Sequence, residues 1–162
     1  MFNVEKMDWY QKMNEQKNIQ IVQQMCAAFE QGNIPFVLDL LAEDVEWFVT
    51  GSPKHAPLAG VYHGRDQVAQ IFSNVGEFLE LQQFQAQEFI AQGDQVVVLG
   101  HARGRVKPTN HPLEYDWVQV YTLRDGKTVK FREYLDTAAI AEAFHGAKIG
   151  SVPELASGHK EL

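Results

Sequence analysis

The sequence predicts an α+β domain, because helical patterns fill its first half and four long strand patterns then follow in series. Two observations carry that expectation. From Asn18 to Gln31, the residues Ile19, Val22, Cys26 and Phe29 recur at intervals of three and four, the spacing of one helix face. After residue 80 the period changes to two, and Gly93-Asp94 and Asp125-Gly126 separate the alternating runs as hairpin turns do.

Residues 1–16 read as an N-terminal extension, helical or frayed, ahead of that first helix. Gly32-Asn33 ends the helix, and Pro35 suits the first turn of a shorter one reaching Leu41. Glu43 to Thr50 reads as a strand with Trp47 and Phe48, and Gly51 to His63, with Pro53, Pro57 and Gly60, as a loop. Gly64-Arg65-Asp66 opens a third helix whose buried stripe is Val68, Ile71, Phe72 and Val75. Strands are expected over Leu81–Gln92, Gln95–Lys107, Leu113–Leu123 and Thr128–Asp136, an antiparallel meander with one face covered by the helices. Thr137 can cap a last short helix through Phe144, and residues 147–162 read as a tail. The main domain thus spans residues 17–146.

Composition narrows the function. The 162 residues are 45% hydrophobic and 22% charged, near globular averages. A net charge of −7 argues against nucleic acid and anionic membrane surfaces as partners. No run approaches the roughly 20 apolar residues of a membrane span, and the first 16 residues lack the apolar core of a secretory signal. The single cysteine, Cys26, suits a reducing compartment, so a cytoplasmic location is expected. Within a helical pattern it reads as a small buried thiol.

The last strand pattern holds the most informative residue. Alternation places Glu133 with Val129, Phe131 and Leu135 on an apolar face, where an ionised carboxylate is costly unless compensated. Glu133 is therefore either half of a buried structural pair or the working group of a pocket. Alternation also groups Tyr115, Trp117, Gln119 and Tyr121 on an aromatic face with hydrogen-bonding tips, as a pocket wall requires. If the odd-numbered faces share one side of the sheet, His101 and Arg103 lie beside Glu133 and can tune it or steady an oxyanion. No histidine pair or Cys/His cluster has metal-ligand spacing, and no glycine-rich phosphate loop opens a helix. No metal and no cofactor is expected.

The order of elements, with Asp125-Gly126-Lys127 and the ending Phe131-Arg132-Glu133-Tyr134-Leu135-Asp136-Thr137, resembles the SnoaL-like and ketosteroid-isomerase-like proteins of the nuclear transport factor 2-like superfamily. The resemblance implies a cone-shaped roll: a strongly curved, mainly antiparallel sheet with three to four helices closing a central pocket. It also implies a homodimer formed through the sheet's outer face. The fold hosts isomerases, cyclases, dehydratases, epoxide hydrolases and binders, so it does not fix the reaction. Ketosteroid isomerase's base, oxyanion-hole Asp and Tyr fall on Trp47, Gln119 and Met25, which argues against steroid isomerisation. In the limonene epoxide hydrolase pattern the water-activating Asp matches Glu133, but its Arg and Asp fall near His101 and Arg103, and its water-holding Tyr and Asn on Trp47 and Val49. The expected function is acid/base chemistry without a cofactor on a small hydrophobic, oxygenated molecule, as an isomerase, a cyclase or an epoxide-hydrolase-like hydratase or hydrolase. Glu133, His101 and Arg103 would be its catalytic residues, and Trp47, Tyr115, Trp117, Gln119, Tyr121 and Phe131 its ligand-binding ones. The competing expectation is a binding protein for an apolar ligand.

Overall fold

A computed structural model describes residues 3–145. Helix α1 (Val4–Glu30) is continuous, so residues 4–16 of the expected extension belong to the same helix as the apolar stripe. Asn3 caps it by accepting from the Glu5 amide. Its second half buries Val22, Met25, Cys26 and Ala28, whereas its first turns are exposed. A short α2 (Ile34–Asp39) follows, capped by Asn33, with Pro35 in its first turn.

Strand β1 (Leu41–Val49) leads to a loop, and the segment expected as loop through His63 ends in a strand, β2 (Gly60–His63). Four residues with one backbone partner are too short to show a period; β2 exists because β1 offers it an edge. Helix α3 (Gly64–Phe78) buries Val68 and Ile71. The meander follows as β3 (Leu79–Gln92), β4 (Gln95–Val106), β5 (His111–Arg124) and β6 (Lys127–Leu135), then α4 (Thr137–His145). The cap of α4 is Asp136, whose carboxylate accepts from the Ala139 amide at 3.0 Å, rather than Thr137. The tail expected from residue 147 lies outside the described residues.

The six strands form one sheet in the order β2-β1-β6-β5-β4-β3, antiparallel throughout except where β1 runs parallel to β6. The sheet is curved and does not close, and the helices cover one face of it: the α+β cone. Register shifts in β3, β1 and β6 supply bends, since each inserted residue kinks its strand. Gly100 allows a close approach: a Cβ there would lie 2.1 Å from the Trp117 ring. No described helix is long and apolar enough to cross a membrane.

One register shift positions the site. Asp125 and Gly126 both take positive φ, as a two-residue hairpin turn demands, and set Arg124 opposite Lys127 and Leu123 opposite Thr128. Continued unbroken, that register would put Glu133 opposite Val118, on the outer face. Instead Thr122 pairs with Lys130, leaving Val129 as the extra residue of a bulge. Beyond it Phe131, Glu133 and Leu135 face inward, opposite Tyr121, Gln119 and Trp117.

Candidate functional site

Between the sheet and the helices lies a cavity of about 100 Å³. The sheet supplies Trp47, Tyr115, Gln119, Tyr121, Phe131 and Glu133; the helices add apolar side chains, among them Phe29, Phe72 and Phe144. Trp47 and Phe131 are direct partners across the parallel β1–β6 pair, and their rings stack with centroids 3.6 Å apart. Tyr121 meets Phe131 edge-on at 5.0 Å.

Glu133 is fixed from both sides. Its carbonyl accepts from the Thr50 amide at 3.0 Å, and the Thr50 hydroxyl accepts from the Leu135 amide at 3.2 Å. Its carboxylate Oε2 accepts from Gln119 Nε2 at 2.5 Å, Gln119 Oε1 accepts from the Tyr121 hydroxyl at 2.7 Å, and Cys26 Sγ lies 3.9 Å from that hydroxyl. The side chain keeps some accessible surface, but what it faces is the apolar cavity rather than bulk water. Burial consequently pushes its carboxyl up to about 7, against a smaller opposing effect of the Gln119 bond. Burial also pushes the Cys26 thiol up to about 11, and holds Tyr115 and Tyr121 above the ordinary phenol value, with the Glu133 charge adding to both. Tyr115 makes no hydrogen bond among the described residues, so its hydroxyl is a donor still available to the cavity.

Among the described residues, no Lys, Arg or His lines the cavity, and Glu133 is its one carboxylate. Among the described residues, no three His, Cys, Asp or Glu side chains are grouped as metal ligands would be.

Three residues expected at the site lie elsewhere. His101 and Arg103 sit on the outer face, because β4 pairs with β5 so that even-numbered residues of one share a face with odd-numbered residues of the other. His101 is thus opposite Asp116, and its two ring nitrogens lie 2.8 Å from Asp116 and 2.9 Å from Glu114. Arg103, opposite Glu114, is exposed. Trp117 does point inward but fills core, stacked on Phe84 at 4.5 Å over Gly100. Sequence reasoning missed the contribution of Met25, Cys26 and Phe29 from α1 and of Phe144 from α4. Their apolar periodicity marked them as buried, and nothing in it separates packing against side chains from packing around a void.

The SnoaL-like domain model matches residues 22–131, most of the chain. The chain belongs to the SnoaL-like family. This SnoaL-like protein is 41% identical to a structurally characterised NTF2-like protein of Burkholderia xenovorans; the match covers 80% of this chain and 97% of that one, with a TM-score of 0.73. It is 27% identical to TerC, whose structure was obtained by co-crystallisation with polyporic acid, over 80% of this chain and 99% of TerC, with a TM-score of 0.72. Uncharacterized protein Rv0034 of Mycobacterium tuberculosis is 26% identical over 132 residues, 82% of this chain and 98% of the relative. These likenesses place the sheet, the helices and a small-molecule pocket in one family, and leave the chemistry to the residues lining the pocket.

Proposed function

We propose that this SnoaL-like protein is an acid/base enzyme acting on a small, neutral, hydrophobic molecule that carries a carbonyl oxygen. The observation that supports it best is the Glu133 carboxyl, pushed up to about 7 in an aromatic cavity with no cation among the described residues that line it. A group with that affinity can both take and return a proton near neutral pH. An anionic substrate would meet the carboxylate with no compensating charge, whereas a neutral one would not.

In the step we propose, Glu133 takes a proton from a carbon next to the carbonyl. The C–H electron pair forms a carbon–carbon double bond, the carbonyl π pair moves onto oxygen, and the Tyr115 hydroxyl donates to that oxygen. Return of the proton to a different carbon completes an isomerisation; attack of the carbanion on a second carbonyl, whose oxygen takes the proton back from Glu133, completes a cyclisation. Both balance with no other reactant. Tyr115 takes the oxyanion role that the sequence had offered to His101 or Arg103, both of which lie across the sheet.

Size limits the substrate. An apolar cavity of about 150 Å³ accepts benzene, so one of about 100 Å³ takes nothing larger than a small ring unless lining side chains move. We place the protein in the cytoplasm, as a homodimer; the buried free thiol of Cys26 and the aliphatic outer face carrying Val97, Leu99, Val118 and Val120 support this.

Exchange of carbon-bound hydrogen for deuterium in a panel of small neutral ketones, followed by NMR at pH 8, tests the chemistry. The wild type should accelerate exchange in at least one ketone and Glu133→Gln should not. The TerC co-crystal supports a second reading, a pocket that only binds. Tight binding with equal, buffer-rate exchange in both proteins would establish it.

A further inference from the structure

The chain Cys26–Tyr121–Gln119–Glu133 has a direction. A phenol has one proton to donate, and the Tyr121 hydroxyl has two neighbours: Gln119 Oε1 at 2.7 Å, a normal O–H···O length, and Cys26 Sγ at 3.9 Å. The proton therefore goes to Gln119. With its oxygen occupied, the Gln119 amide must turn its nitrogen to Glu133, the arrangement found. The reverse orientation would press a carbonyl oxygen against an ionised carboxylate, two acceptors facing each other.

We propose that Tyr121 and Gln119 are a positioning pair: the Tyr121 hydroxyl locks the Gln119 amide so that it always donates to Glu133 Oε2, leaving Oε1 as the oxygen that exchanges protons with the substrate. This rests on the acid/base reading of Glu133 and adds the residues that orient its carboxyl. Tyr121 does not touch the carboxylate. It acts through Gln119, which is 5% exposed and so shielded from bulk water. The pair sits on β5, directly opposite β6, where rigid backbone rather than a loop holds it. Among the described residues, the titratable groups lining the same space are Tyr115 and Tyr121 from β5, Cys26 from α1 and Glu133 itself. The two phenols and the thiol are neutral near pH 7, so the amide orientation is the local feature left to bias the carboxyl.

The test needs no substrate. Carbon-13 NMR of selectively labelled glutamate follows the Glu133 carboxyl through its titration in wild type, Tyr121→Phe and Gln119→Met, both near-isosteric replacements. Releasing the amide in Tyr121→Phe lets it present its oxygen to the protonated acid, so the Glu133 midpoint should rise by about one pH unit. Gln119→Met, which removes the donor outright, should raise it at least as far. A midpoint unchanged in Tyr121→Phe but raised in Gln119→Met would overturn the locking role of Tyr121. No movement in either would overturn the pair. Should the midpoints move as expected while wild type fails to exchange ketone hydrogens, the positioning stands and the catalytic reading fails.

Discussion

Gln119 and Glu133 occupy directly paired positions on β5 and β6, and the amide of one donates to the carboxylate of the other across the inner face of the sheet. That contact exists because Val129 is bulged out of β6. The bulge turns an acidic residue into a cavity lined mainly by aromatic and aliphatic side chains, and burial there sets its protonation near neutrality.

The first expected outcome concerns rate against pH. If Glu133 is the base it must be ionised, so kcat/KM for a responsive ketone should rise about tenfold per pH unit below about 7 and level off above it. Tyr115→Phe should keep that midpoint and lower the plateau, by about 100-fold if its donor stabilises an oxyanion. A profile flat between pH 5 and 9 would remove Glu133 from the reaction.

Stability should run the other way. Because folding raises the Glu133 carboxyl from an ordinary 4.5 to about 7, the folded state binds the extra proton between those values. Its contribution is most favourable below pH 4.5 and is lost as pH rises through 7. At about 1.4 kcal/mol per pH unit, the loss is about 3 kcal/mol. Glu133→Gln should therefore match wild type in urea denaturation at pH 4.5 and exceed it by up to that amount at pH 8. Equal midpoints at both pH values would show that the carboxyl is not buried as described.

His101 offers the converse case on the outer face. Hydrogen bonds to Asp116 and then Glu114 hold its imidazole above the ordinary 6.5. The stabilisation is present below pH 6.5 and fades as pH rises through the raised value. His101→Ala should lower the melting temperature at pH 5.5 more than at pH 9, and leave ketone exchange unchanged. Lost exchange in a folded variant would return His101 to the site.

Gly100→Ala tests whether Trp117 is core. The added methyl would collide with the indole and break its stack on Phe84. A loss of about 1–3 kcal/mol in denaturant unfolding is expected from such overpacking. An unchanged midpoint would mean that the ring moves freely.

Much of the fold was legible because its signals are local. The α1 stripe, the Asp125-Gly126 turn and the four alternating runs each declare themselves within a few residues. The inward-facing set Tyr115, Gln119 and Tyr121 came from one strand's alternation, which needs no partner. Grouping that set with His101 and Arg103 failed, because alternation gives two faces per strand without saying which faces of neighbouring strands coincide.

By itself the sequence determined the element types, the α+β class and the presence of one acidic residue in an apolar strand pattern, since periodicity and turn chemistry are written in adjacent residues. Only the tertiary structure decided what surrounds that acid. Side chains alternate with a period of two, so a shift of one residue between strands carries a whole row across the sheet. The connection at residues 107–110 put His101 outside, and the bulge at Val129 put Glu133 inside.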